Sequence, residues 1–389
     1  MAFFRADRVA WVCALVAPGA HAAPPDIPAV VTAAALRLQH DHPRTMAISV
    51  GVSRNGHGET FHFGSLTPGR VTPPTDATIY PIASITKTFT GLLLAQAVLE
   101  HRVTLDDDVR KYLAGSYPNL EFHHHPIRLK DLLDHRSGLP FLLPDVPQAQ
   151  PDYANHATPW TARVTTLQAQ YHRQDFMADL HHVVLTAIPG ERISYSNAAA
   201  TLTGYILEDI YGKSYESLVR ERITQPLGMT DTTLLQTPAQ TARTAPGYDG
   251  QGILMPPAPI ALGAAAGLKA TVTDLLAYAA WGAADQDRAI RLAHAPVAMV
   301  APSVTGLKYP YMTGLNWQEI DASGPAGKRR LIWQSGGMDG YASYCIEAPE
   351  LHLAVVALFN ESDPTSNRAQ QAMVNAILTG LDPHAVELP

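Results

Sequence analysis

Residues 81–90 read Pro81-Ile82-Ala83-Ser84-Ile85-Thr86-Lys87-Thr88-Phe89-Thr90, and this stretch organises the reading of the whole chain. From Ser84 to Glu100 the apolar positions Ile85, Phe89, Leu92, Leu93 and Val98 follow helical spacing, and Pro81 stands just upstream. That pattern predicts a helix that opens at the serine. Residues three apart share a helix face, so the Ser84 hydroxyl and the Lys87 amine can meet. Serine is a poor nucleophile until a neighbour accepts its proton, and an amine held neutral by burial can do so. A helix N-terminus also brings backbone N–H groups close to a reacting carbonyl. The structural alternative is an N-cap serine beside a lysine whose stem covers apolar surface.

Working outward, 28–40 reads as a helix, and 46–54 and 60–63 as strands around the turn signal Asn55-Gly56-His57-Gly58. Shorter helices are predicted near 106–114, 128–135, 171–186, 197–211 and 214–224. The Pro-rich stretch between Pro140 and Pro159 has little periodicity and is expected to form a surface loop overhanging a site. A helix at 271–281, strands near 311–318, 330–335, 341–347 and 352–359, and a last amphipathic helix at 366–378 complete the chain. The expected fold class is α/β (α+β): a β-sheet with helices contributed by both chain ends, over about 23–100 and 260–389, plus an inserted all-helical subdomain over about 101–259.

Two further segments carry chemistry. Tyr195-Ser196-Asn197 precedes a predicted helix, and side chains two apart in an extended segment point the same way, so a phenol and an amide can face one cavity. The phenol can shuttle a proton if a neighbouring cation such as Lys87 stabilises its phenolate, and the amide can hold a substrate carbonyl. The alternative is that Asn197 caps the following helix and Tyr195 packs. Trp333-Gln334-Ser335-Gly336-Gly337 closes a predicted strand, where paired glycines let a substrate lie against the strand edge and offer backbone N–H groups to an oxyanion. The alternative there is a tight turn between two strands.

Together these segments resemble the penicillin-recognising serine hydrolases: class C β-lactamases, DD-carboxypeptidases and their esterase relatives. Supporting stretches match in the same order. Leu132-Leu133-Asp134-His135-Arg136-Ser137-Gly138-Leu139-Pro140 is similar to the family's "LLxHxSGLP", and Pro226-Leu227-Gly228-Met229 to its "PLGM". Ala265-Ala266-Gly267-Leu268 with Thr271 and Asp274 resembles its "GGLxST" segment, and Gly314-Leu315-Asn316-Trp317 its "GLGW". The resemblance implies a β-lactamase/transpeptidase-like fold with an antiparallel sheet, and a hydrolase working through a Ser84 acyl-enzyme on amide, peptide or ester substrates. It implies Lys87 as hydrogen-bonded partner, Tyr195 as general base and later acid, and Asn197, Gln334, Ser335 and Gly336 as substrate-binding residues. It also implies the N–H groups of Ser84 and Gly337 as the oxyanion hole, with no cofactor and no metal. Peptidase or carboxypeptidase action, on cell-wall fragments or related peptides, is the first expectation; carboxylesterase and weak β-lactamase action follow. Gln334 departs from the family's Lys or His, so carboxylate-bearing substrates are expected to be handled weakly unless Arg329 or Arg330 reaches in. A competing class is a slowly turning-over binding or sensing protein with the same fold; the intact Ser84, Lys87 and Tyr195 set argues against it.

Composition sets the outer bounds. The chain has 389 residues, 46% hydrophobic and 16% charged, with a formal net charge of −7 spread without blocks, so no footprint for nucleic acid is present. Residues 1–22 read as a signal peptide: Arg5 and Arg8, an apolar run from Val9 to Ala17, and Ala20-His21-Ala22 as a cleavage site. Export to a periplasm or medium is expected, and no later segment has the length of apolar residues a membrane anchor needs. Of the two cysteines, Cys13 lies in the signal segment, so its removal would leave Cys345 alone, and the alternating context of Cys345 reads as a buried strand position. Gly-x-Ser-x-Gly is absent, which counts against an α/β-hydrolase. His123-His124-His125 and His181-His182 read as surface histidines, and His135 as a residue shaping a loop near the site.

Overall fold

A computed structural model describes residues 25–43, 46–147, 160–168, 170–257, 262–300, 309–324 and 327–389. The proposed signal peptide and the 148–159 part of the Pro-rich stretch lie outside the described residues. In chain order the strands are β1 Ile48–Arg54, β2 His57–Phe63, β3 Ile79–Pro81, β4 Glu121–Phe122, β5 His125–Pro126 and β6 Lys269–Thr271. They continue as β7 Ala298–Val300, β8 Tyr311–Thr313, β9 Gln318–Asp321, β10 Arg330–Met338, β11 Tyr341–Ala348 and β12 Leu353–Phe359.

Among the described residues the main sheet has eight strands in the order β2-β1-β12-β11-β10-β9-β8-β7, and every pairing in it is antiparallel. β1 and β2 turn at Asn55-Gly56, both at positive φ, as a two-residue hairpin requires. The two chain ends meet where β1 pairs with β12, Ile48 opposite Phe359. The helices Ile27–Asp41 and Pro364–Leu381 lie together on one face of this sheet. Their N-termini are capped by Asp26, which accepts from Ala29 N, and by Asp363, which accepts from Thr365 N and Ser366 N. Val31, Leu38, Val374 and Ile377 pack there against Val50, Val355 and Phe359. The expected sheet with helices from both chain ends is therefore present.

The opposite face of the sheet carries a larger core. It is built by the helices Thr86–Leu99, Asn197–Tyr211 and Val272–Ala283, with Phe89 stacked on Tyr278 at 4.1 Å between ring centroids. Phe89, Leu92 and Leu93 have no exposed surface, and each such burial contributes about 1.5–3 kcal/mol. This anchors the helix that carries Lys87 within that core, with the helix Val272–Ala283 between it and the sheet.

The middle of the chain departs from the sequence reading in detail. Between 101 and 259 it holds mainly short helices, but β4 and β5 form a two-stranded ribbon there, so the segment is not all-helical. The segments expected as helices near 106–114 and 171–186 shorten to a 3-10 turn at Val109–Tyr112 and a helix at Arg173–Leu180. The strand expected over 311–318 is two strands, β8 and β9, broken by the Gly314–Trp317 turn.

Candidate active site

The serine stretch is a 3-10 turn, Ala83–Ile85, running straight into the helix Thr86–Leu99. Ala83 adopts φ 45°, a left-handed conformation that costs a non-glycine residue about 1–3 kcal/mol and persists only where neighbours fix it. Here they do: Ile82 N donates to Leu268 O, and Ile82 O accepts from Ile85 N and from Ser343 Oγ. The turn lifts Ser84 into a cleft of about 340 Å³ lined by Phe141, Trp160, Tyr195, Asn197, Gln334 and Gly337, among others.

Lys87 is fully buried one turn below Ser84. Its Nζ contacts Ser84 Oγ at 3.1 Å, Asn197 Oδ1 at 2.7 Å and the carbonyl of Ala265 at 2.9 Å. Loss of hydration holds its pKa well below the usual lysine value. A neutral amine has two N–H donors and one lone pair. In that form Asn197 and Ala265 would take the two donors, and the lone pair would face the Ser84 hydroxyl.

Tyr195 Oη lies 2.5 Å from Ser84 Oγ, and Lys87 Nζ sits 4.7 Å from the centre of the Tyr195 ring. The tyrosine keeps 38% of its surface open to the cleft, while crowding around its hydroxyl pushes the pKa up to about 12, only partly offset by the bond to Ser84. The phenol is therefore protonated at neutral pH. Ser196, not Asn197, caps the helix Asn197–Tyr211, its Oγ accepting from Ala199 N. Asn197 is thus free of capping duty, and it lines the cleft beside Tyr195 as the extended spacing predicts. Ser196 Oγ donates to Pro140 O and Asn197 N to Phe141 O, so the loop over residues 137–141 holds this segment in place.

His135 packs its ring on Tyr195, centroids 4.3 Å apart. Burial lowers its pKa to about 3. An imidazole that stays neutral throughout the physiological range brings no charge to the site, and its ring packs against that of Tyr195.

The glycine pair does not end its strand. β10 runs on through Gly336 and Gly337 to Met338, and Asp339-Gly340 makes the turn to β11, with Gly340 at φ 83°. β9 pairs with β10 only from Arg330 to Trp333, so from Gln334 onward one edge of β10 is open to the cleft. Gly336 is packed against the serine turn. A Cβ there would collide with Ile82 O and Ser343 Oγ and sit 3.0 Å from Ser84 N. Gly336→Ala is accordingly expected to push the serine turn out of register and lower kcat/KM by about 100-fold, with the protein still folded by circular dichroism. Activity within a few-fold of wild type would show that the close approach is unimportant.

Gln334, 3% exposed, accepts from Gln318 Nε2 at 2.7 Å. Neither arginine reaches it. Arg329 pairs with Asp382, and Arg330 with Glu350 and Asp285. Sequence reasoning missed Gln318, Phe141, Trp160, Leu262 and Met338 as cleft residues. Among the described residues no group of three or more His, Cys, Asp or Glu is arranged to hold a metal ion, and Cys345 is buried within β11.

This geometry can be set beside known proteins. The Beta-lactamase family model matches residues 34–379. The chain belongs to the Beta-lactamase family. It is 26% identical over 364 residues to a Beta-lactamase of Pseudomonas fluorescens, covering 86% of this chain and 93% of that one. It is 26% identical over 334 residues to the D-alanyl-D-alanine-carboxypeptidase/endopeptidase AmpH of Escherichia coli K12, covering 82% and 80%. The crystal structure of a Beta-lactamase/D-alanine carboxypeptidase from Yersinia pestis complexed with citrate superposes with a TM-score of 0.74 at 25% identity, over 91% of this chain and 98% of that one. As a Beta-lactamase family member of this kind, the protein is a serine hydrolase of the peptidase/β-lactamase type.

Proposed function

We propose that this Beta-lactamase family member hydrolyses peptide, amide or ester bonds through an acyl-enzyme on Ser84. The observation that carries the reading is the meeting of Ser84 Oγ with both Lys87 Nζ, at 3.1 Å, and Tyr195 Oη, at 2.5 Å. Ser84 Oγ attacks the substrate carbonyl carbon, and its proton passes to the neutral amine of Lys87. The oxygen that gains charge sits between the backbone N–H groups of Ser84 and Gly337. Tyr195 gives its proton to the leaving group as the C–N or C–O bond breaks, and Lys87 restores it. Water then attacks the ester at Ser84 while neutral Lys87 takes one of its protons, and Lys87 returns that proton to Ser84 Oγ as the acyl C–O bond breaks. Asn197, Gln334 and Ser335 hold the substrate along the open edge of β10; Gly336, expected beside them, is instead packed against the serine turn.

Peptidase or carboxypeptidase action comes first, with export through residues 1–22 putting cell-wall peptides within reach. This is in keeping with the carboxypeptidase/endopeptidase name of one relative. No helix among the described residues is long and apolar enough to cross a membrane. A second reading, carboxylesterase or neutral-amide hydrolase, is favoured by one observation: the Lys or His position of the family is a neutral Gln334, and Arg329 and Arg330 are committed to acidic partners elsewhere. Weak β-lactamase action ranks below both.

A panel of D-Ala-D-Ala peptides, p-nitrophenyl esters and nitrocefin ranks these substrates. Gln334→Lys is expected to raise kcat/KM for anionic β-lactams relative to neutral esters by about 10-fold, the gain of a charge-assisted hydrogen bond over a neutral one. An unchanged ratio would remove Gln334 as the reason for any substrate preference.

A further inference from the structure

Three polar side chains form a directed chain behind the cleft. Tyr311 Oη on β8 donates to Gln318 Oε1 on β9 at 2.9 Å, and Gln318 Nε2 donates to Gln334 Oε1 on β10 at 2.7 Å. A carboxamide has an acceptor end and a donor end. In each glutamine the oxygen is taken by the preceding donor, so each turns its NH2 onward. Burial pushes the Tyr311 hydroxyl up to about 12, which keeps it a protonated donor at the head of the chain. At the far end stands Gln334, one of the residues that line the cleft together with Ser84, Asn197 and Gly337.

We propose that Tyr311 and Gln318 are positioning residues that fix Gln334 with its two N–H bonds toward the substrate. Gln334 then selects substrates that place a neutral acceptor, an ester or amide carbonyl, beside β10 a short distance beyond the scissile bond. This rests on the Ser84 acyl-enzyme reading and adds to it the polarity of one subsite. A free rotor at Gln334 would offer oxygen and nitrogen equally and distinguish little; a locked one discriminates because the wrong polarity leaves a buried group unpaired.

The test uses two p-nitrophenyl esters of equal length, one ending in a methyl ketone (acceptor) and one in an ammonium (donor), read as the ratio of their kcat/KM values. Wild type is expected to favour the ketone. Gln318→Glu supplies only acceptors, so Gln334 must turn its nitrogen inward and its oxygen to the cleft. The ratio is expected to fall at least about 10-fold and to reverse toward the ammonium ester. Gln318→Leu and Tyr311→Phe remove the lock, and both are expected to bring the ratio toward that of Gln334→Leu, Tyr311→Phe less far. A role for Gln318 in folding alone would lower both esters together and leave the ratio where it was.

Fluorophosphonate labelling of each variant separates the two levels of the argument. Wild type that fails to label at Ser84 overturns the acyl-enzyme reading. Labelling at Ser84 with the same ratio in wild type, Gln318→Leu and Tyr311→Phe overturns the positioning role. A wild-type preference for the ammonium ester overturns the assigned polarity. If Gln318→Glu fails to fold, the leucine and phenylalanine variants decide the question by themselves.

Discussion

Ser84→Ala is expected to reduce kcat on the best ester or peptide substrate by about 10⁵-fold or more, the scale seen when the nucleophile of a cooperating set is removed. The loss should fall on kcat and leave KM nearly unchanged, because alanine removes the atom that forms the bond and leaves the cleft walls intact. Thermal stability should barely move. Ser84 sits on a turn fixed by Ile82, Leu268 and Ser343 backbone and hydroxyl contacts, none of which uses the Ser84 side chain. With a p-nitrophenyl ester in excess, the variant should show no burst and only the small residual steady state that the kcat loss implies. Substantial turnover in Ser84→Ala would mean that another nucleophile does the work.

Lys87→Ala is expected to slow acylation by about 10³–10⁴-fold, the upper range for loss of a positioned base. Lys87→Arg should be equally slow. A guanidinium keeps a hydrogen-bond donor near Asn197 Oδ1 and Ala265 O but cannot give up its proton. A role limited to holding Asn197 would instead be partly rescued by arginine.

The same assignment fixes the sign of the pH profile. Lys87 must be neutral to accept the serine proton, and burial has lowered its pKa, so the rate should be full above that lowered value and fall as pH drops through it. Tyr195 must be protonated to serve the leaving group, so a second loss is expected only as pH rises toward about 12. A stopped-flow acylation profile reports both limbs. A plateau starting only near the ordinary lysine value would show that the amine is not desolvated in the working enzyme.

Several parts of this arrangement were open to reading from residues alone because local rules govern them. Ser84 and Lys87 meet because three residues span one helical turn. Tyr195 and Asn197 face one cavity because an extended segment repeats every second residue. The β1–β2 hairpin follows from Asn55-Gly56 between apolar runs. Other parts depend on tertiary context.

Gly336-Gly337 carries the composition of a turn, yet β11 pairs with it throughout, and Gly336 is needed for close approach to the serine turn. Asn197 has the chemistry of a cap, but Ser196 takes that place and leaves the amide for Lys87. The Ala265 carbonyl that completes the lysine's surroundings is a backbone group on a short helix, Gly263–Ala266, and has no side-chain signature at all. Gln318 lies one residue past a recognisable motif, and only the pairing of β9 with β10 brings it to Gln334.

The central claim is that substrate becomes covalently attached to Ser84 during turnover. Rapid acid quench of wild-type protein mixed with a slow ester or a penicillin, followed by digestion and mass mapping, tests it directly. The expected result is an acyl mass on the peptide containing Ser84 that rises and decays at rates matching the burst and the steady state. Turnover with that peptide never modified, or with the adduct on any other residue, would contradict the account.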